Sequence, residues 1–181
     1  MANGQHLKQI NEAIEKHNIG LWNEWRKENP EIRPDLTGMN LKRADLKNAV
    51  LRGAILKEAN LRGTDLSSAD LSGADLNKAN LVLTHLDAAN LTGANFSGAN
   101  LSDANLTEAD LSKADFSDAL LVGALLLGAD LNKANLENNV KGLMPSQVKT
   151  AKHWEEAYLS KGVLEDLGLP LDHNEKLRKE T

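Results

Sequence analysis

Residues 66–80 read LSSADLSGADLNKAN, three successive units of five in which Ala, then Asp or Asn, then Leu recur at fixed places. Followed in both directions, the large apolar position runs from Leu36 to Leu136 without a break, 21 residues at intervals of five, with Phe only at 96 and 116. A spacing of five fits no α-helix, because each step advances about 140° past a whole turn and scatters the leucines around the cylinder. It fits no straight strand either, since an odd interval throws successive leucines onto opposite faces. The chain must therefore turn inside every unit, and a repeat of this kind decides the architecture before any local feature does.

In the unit Ala69-Asp70-Leu71-Ser72-Gly73 the alternation predicts three residues of strand, with Ala and Leu facing in and Asp facing out, followed by a corner. Gly ends the unit at 38, 53, 63, 73, 93, 98, 123 and 128, which suits a turn with positive φ. The remaining units put Lys, Glu, Asp, Ser, Asn, Arg, Ala or Leu there, which predicts a second type of corner that tolerates a side chain. Like residues recur every 20 positions, as in Asn40, Asn60, Asn80 and Asn100, in Phe96 and Phe116, and in Gly53, Gly73 and Gly93. Stacked coils place like over like, so four units make one turn. The Asn column reads as a ladder of amides bonded along the stack.

The tandem pattern A(D/N)LXX over residues 34–138 resembles the pentapeptide-repeat family. The resemblance implies a mainly β fold, a right-handed quadrilateral β-helix, here of about five coils. The flanks, Trp22-Asn23-Glu24-Trp25-Arg26 with Arg33-Pro34-Asp35-Leu36, and Met144-Pro145-Ser146-Gln147-Val148 through Trp154-Glu155-Glu156-Ala157-Tyr158, resemble the terminal segments of small cyanobacterial members. The expected division is an N-terminal helical cap at 1–33, the β-helix at 34–138, and a C-terminal helical cap with a loose tail at 139–181.

Caps are expected on physical grounds, because an open stack exposes unpaired backbone and apolar core at both ends. Leu7, Ile10 and Ile14 predict a helix over 5–17 that Gly20 ends, with Trp22 and Trp25 folding over the first coil. Pro145 suits a first helical turn, and Val148, Ala151, Trp154, Ala157 and Tyr158 predict one face of a helix to about residue 159. A second short helix is expected around Val163, Leu164 and Leu167, stopped by Pro170, with a loose tail from Asp172.

Composition narrows the function classes. The 181 residues contain no Cys, which excludes thiolate metal sites and suits a cytoplasmic location. No apolar run is long enough to span a bilayer, and the stretch Met1 to His6 has neither the basic start nor the apolar run of a secretory leader. The net charge of −5 lies in the coil, with 14 acids and nine bases, while each flank is balanced. The Trp residues of those neutral flanks read as caps rather than base-stacking platforms, which need a basic groove, so no direct nucleic-acid binding is expected. Lys42, Arg43, Lys47, Arg52, Lys57 and Arg62 form a basic run near the start, read as a solvated rim.

No enzyme is expected, and no catalytic residue, cofactor or metal. His85 stands alone in the coil, flanked one turn away by Asp65 and Asn105, and no nucleophile motif or phosphate loop accompanies it. Two surfaces remain as candidates. Asp70, Asp75, Asp110, Asp115 and Asp130 make one side of the rod acidic. Val82, Leu83, Leu120, Val122, Leu125 and Leu127 are apolar where the pattern wants polar residues, and a patch of this kind calls for a cover. That cover is expected to be the C-terminal helix packing sideways through Val148, Ala151 and Trp154, or else a protein partner. Val50 and Ile55 make a smaller break, expected under the N-terminal helix. The function expected is a structural or protein-interaction scaffold, monomeric or weakly dimeric. The alternative implied by the resemblance is an acidic DNA mimic that binds gyrase or another type II topoisomerase. The modest charge, the uninterrupted repeat and the Leu-dominated core weigh against it.

Overall fold

The computed structural model describes residues 4–179. Residues 1–3, the start of the stretch read as leaderless, and residues 180–181, the end of the tail, lie outside the described residues. From Asp35 onward the outward residue of each unit pairs in parallel with the residue 20 positions later, as in Asp45 with Asp65, Asp65 with His85 and His85 with Asn105. Four such columns run side by side, so the chain winds as a four-sided spiral with one turn per 20 residues.

Each side is shorter than the three-residue strand expected. Only the residue between Ala and Leu bridges, and paired strands of two residues occur at β1 (Asn135–Leu136) and β2 (Tyr158–Leu159) alone among the described residues. Corners every five residues leave no length for more. At each corner the chain folds back through a turn bond, for example Ala74 N–H to Leu71 C=O at 2.9 Å, while Gly73 N–H reaches the next turn at Thr92 C=O, 2.9 Å away. The corners are also of one kind. Leu83, Ala88, Glu108 and Lys113 hold φ of 54–61°, beside 62–68° for the eight glycines of the coil corners. The second, side-chain-tolerant corner does not exist, because the bonds between turns fix the backbone geometry whatever the residue.

The spiral encloses a solid core. All 21 Leu and Phe positions are at most 2 % exposed. Phe96 and Phe116 stack with ring centroids 5.0 Å apart and planes 7° from parallel. Thr64 and Thr84 replace the inward Ala and remain buried by donating their hydroxyls to the carbonyls of Leu41 and Leu61 at 2.7 and 2.8 Å.

At the N-terminal end there are two helices rather than one, α1 (Gly4–Glu15) and α2 (Ile19–Glu28). Gly20 does not terminate a helix; it lies in the first turn of α2, where its N–H donates to the Asn18 side chain that caps that helix. α2 lies against the first turn of the spiral. The buried Trp22 donates its indole N–H to Val50 C=O at 2.9 Å, and the Asn23 side chain accepts from Val50 N–H and donates to Asn48 C=O.

The C-terminal end departs further from expectation. After β1 the register lengthens: Leu120 pairs with Lys141, 21 residues on, Asp130 with Lys152, 22 on, and Asn135 with Tyr158, 23 on. The segment 139–159 thus winds as one more, irregular turn. Only α3 (Pro145–Val148) is α-helical where a helix to 159 was expected, and residues 154–156 form a single 3-10 turn. Helix is prevented because Lys152 N–H donates to Ala129 C=O in the coil below, and His153 takes φ of 51°. α4 (Lys161–Leu167) begins at the Ser160 cap and ends at left-handed Gly168, in the place expected for the second short helix. The tail is not loose within the described residues: it forms α5 (His173–Lys179), whose Asn174 is buried against β2.

Candidate interaction surface

The outward position of the repeat does local work. The Oδ1 atoms of Asp70, Asp75, Asp110, Asp115 and Asp130 each accept the backbone N–H two residues on, at 2.9–3.2 Å. Asn serves equally, as Asn100 does for Ser102 at 3.0 Å. Asp and Asn recur there because their short side chains close this turn. In the Asn column the Asn60 amide donates to Asn40 across one turn at 3.2 Å.

The five acids fall on two adjacent faces. Asp75 and Asp115 share one column, and Asp70, Asp110 and Asp130 the next. Amides neighbour three of them: Asn90 donates to Asp70, Asn95 to Asp75 and Asn135 to Asp115, at 3.2, 3.3 and 2.9 Å, while Asp110 and Asp130 are adjacent in their column. Burial pushes the Asp110 carboxyl up, but the bonds from Ser112 and Thr92 more than offset it and hold it below its ordinary value. Asp65 behaves likewise, with burial opposed by Ser67 and by neighbouring His85.

The six apolar residues divide into two groups. Leu120, Val122, Leu125 and Leu127 follow one another along a single turn, across two faces and the corner between them. Val82 and Leu83 lie at that same corner two turns away, and Ser102 and Asp103 come between. The expected sideways cover is not there. Val148 is fully buried and Ala151 is 9 % exposed, because their segment stacks on the end of the coil, where Gln147 donates to the carbonyls of Leu121 and Ala124. Val122, Leu125 and Leu127 are left 50, 57 and 60 % exposed. Charge borders them, since Glu108 lies over Gly128 and pairs with Lys152 at 2.7 Å.

A third feature was not anticipated. Arg26, Arg33 and Arg52 line one cleft of about 550 Å³ together with Glu31, Val50, Gly53 and Asp70. Arg52 thus belongs to a cleft wall as well as to the basic run near the start of the coil. The 20-residue register that sets Arg33 beside Gly53 was the available signal. Among the described residues no group of His, Asp and Glu is arranged to hold a metal ion, and no helix is long and apolar enough to cross a membrane.

The family profile of pentapeptide repeats matches eight copies, over residues 35–67, 64–107 and 99–138, more than half of the chain. The chain belongs to the pentapeptide repeat family. The pentapeptide repeat fold is a right-handed quadrilateral β-helix, in keeping with the four columns above. No curated protein sequence matches the chain. Similar solved structures include the pentapeptide repeat protein Rfr23 from the cyanobacterium Cyanothece 51142, at 28 % identity over 76 % of this chain and 97 % of that one, TM-score 0.33. A pentapeptide repeat protein from the Arabidopsis thaliana thylakoid lumen is 35 % identical over 55 % of this chain and 63 % of its own, TM-score 0.26. QnrB1, a plasmid-mediated fluoroquinolone resistance protein, is 20 % identical over 75 % and 84 % of the two chains, TM-score 0.38.

Proposed function

We propose that this pentapeptide repeat protein is a non-enzymatic scaffold that binds a protein partner through the strip Val122, Leu125 and Leu127. The observation that carries the reading is the exposure of three large apolar side chains, 50–60 %, in one turn at positions whose columns are otherwise polar except at Val82. Water disfavours such a strip, and its removal from water on binding is the driving force the reading invokes. The N-terminal helices α1 and α2, and at the other end the irregular turn 139–159 with α4 and α5, act as caps on the roughly five coils of 34–138, and the protein works in the cytoplasm as a monomer or weak dimer. Its filled core leaves chemistry to the outer surface.

The test uses the full chain carrying Val122→Ser, Leu125→Asn and Leu127→Ser, residue types that the repeat uses elsewhere in the same columns. Partner capture from native extract by the wild type, lost in this variant while circular dichroism and thermal midpoint are retained, supports the reading. Equal capture by both proteins overturns it.

The eleven acids against three bases in residues 64–138 favour a second reading, a DNA-like acidic rod recognised by gyrase. Against it, amides interrupt the carboxylates in both acidic columns, strictly alternating in one and leaving only Asp110 and Asp130 adjacent in the other. Gyrase supercoiling and quinolone sensitivity unchanged at micromolar excess of protein remove this reading.

A further inference from the structure

The cleft beneath the 29–33 loop is built from three separated segments. α2 supplies Arg26, which is only 5 % exposed; its Nη1 donates to the carbonyls of Asn29 and Ile32 at 3.1 and 2.6 Å, and its Nη2 to that of Arg52 at 3.2 Å. Its Nε has no partner, although it is buried. Burial lowers the readiness of this guanidinium to hold its proton, and the charge of Asp70 opposes that. Arg33 is anchored by one bond, Nε to Gly53 C=O at 2.7 Å, which leaves both terminal nitrogens without a protein partner. Arg52 has its whole guanidinium unbonded on the facing corner.

The floor of the cleft is unusual for the repeat. Its column continues as Asp70, Asn90, Asp110 and Asp130, but the first member is Val50. The usual Asp or Asn is absent where a carboxylate would neutralise the arginines. Three guanidinium groups therefore face two carboxylates, those of Glu31 and Asp70, around a cleft whose volume suits a small molecule. Guanidinium forks match the oxygens of carboxylate and phosphate groups in pairs.

We infer that this cleft binds a small oxyanion-bearing molecule, its carboxylate or phosphate held by the free nitrogens of Arg33 and Arg52, with an adjacent hydroxyl or amino group donating to Asp70 or Glu31. The site is independent of the apolar strip, which lies on other faces of the spiral, between three and four turns further along. Arg26 is a positioning residue: it holds the loop carbonyls and the Arg52 carbonyl, and so sets the walls.

Isothermal titration of the full chain with inorganic phosphate and, separately, with succinate tests the inference. Saturable binding of at least one anion with Kd on the order of 1 mM or tighter is expected. It should weaken at least about tenfold in Arg33→Gln and in Arg52→Gln, a loss of about 1.4 kcal/mol. It should persist in Arg62→Gln, which alters an exposed arginine outside the cleft, and strengthen in Asp70→Asn, which keeps the turn bond but removes a repelling charge. Phosphate binding without succinate binding assigns a phosphate ester, and the reverse a carboxylate. Absence of saturable binding for both anions overturns the inference, as does equal weakening in Arg62→Gln. Thermal midpoints of Arg33→Gln and Arg52→Gln equal to wild type separate loss of the site from loss of the fold.

Discussion

The buried side chain of Asn174 accepts the backbone N–H of Leu159 at 3.0 Å and donates to the carbonyl of the same residue at 2.8 Å. One amide thus replaces the acceptor that a further turn of the spiral would have offered the Leu159 N–H, and also meets the Leu159 carbonyl, which in the coil is taken by a corner N–H. Asn23 does the same office at the opposite end, for Val50 N–H and Asn48 C=O. Both ends of the ladder are closed by helix-borne amides, and this blunts edges that would otherwise recruit another chain.

Replacing Asn174 by Ala leaves a buried N–H and C=O unpaired. A loss of about 2 kcal/mol is expected in urea unfolding. Concentration-dependent oligomers in size-exclusion chromatography should accompany it, because the exposed edge is then free to pair.

Left-handed corners occupied by side chains carry strain. Leu83 holds φ of 60° and is 45 % exposed, so Leu83→Gly should raise stability by up to about 1 kcal/mol. Gly73→Ala, at φ of 62° with open space around it, should lower stability by a similar amount through backbone strain alone. Equilibrium denaturation of the two variants in parallel reads both signs.

The stacked pair Phe96 and Phe116 fills the middle of a thin core. Phe116→Ala should cost about 3–5 kcal/mol, since surrounding turns fixed by their own ladder bonds cannot collapse into the gap. Phe116→Leu, the residue used at most other core positions, should cost under about 1.5 kcal/mol. A double-mutant cycle with Phe96→Leu should return a coupling of about 0.5–1.5 kcal/mol for the ring contact.

His153 fastens the irregular last turn to the coil through Asp130, Nδ1 to Oδ1 at 2.9 Å. The hydrogen bond that the ring donates to Asp130, then the charge of that carboxylate, raises the imidazole pKa above its ordinary value. A group raised on folding contributes stability below its unfolded pKa and loses it as pH climbs through the folded one. The wild type should therefore lose thermal midpoint relative to His153→Gln as pH rises above the imidazole's ordinary value of 6.5. Asp110 has the opposite sign: its pKa is lowered, so its contribution is present above the unfolded value and fades as pH falls through the acid range. Asp110→Asn should narrow the acid-induced loss of stability seen by the wild type below about pH 4.

The coil was legible because one bond pattern repeats at every unit: Leu inward, Asp or Asn closing the turn, and the ladder between turns. The flanks were not, because single contacts decide them. Asn18 rather than Gly20 sets the boundary of α2, by capping it. The apolar spacing of Val148, Ala151, Trp154 and Ala157 suggests helix, yet the bond from Lys152 to Ala129 draws that segment into another turn. The apolar strip was visible as a departure from the repeat, but its exposure depended on where the last turn stacks. The arginine cleft was hidden because Arg26, Arg33 and Arg52 meet only after α2 and the loop fold back on the first coil.

A circuit of 20 residues divided among four sides makes chain length a measure of compass bearing. Inserting or deleting five residues between Asp70 and Leu120 would rotate everything beyond by a quarter revolution while the interior stayed equally filled. The arginine cleft and the leucine strip would then point in new relative directions with their own geometry untouched. Duplications of a whole circuit would change only the distance between them. Evolution of such a rod can therefore re-aim one surface against another in discrete steps without redesigning either.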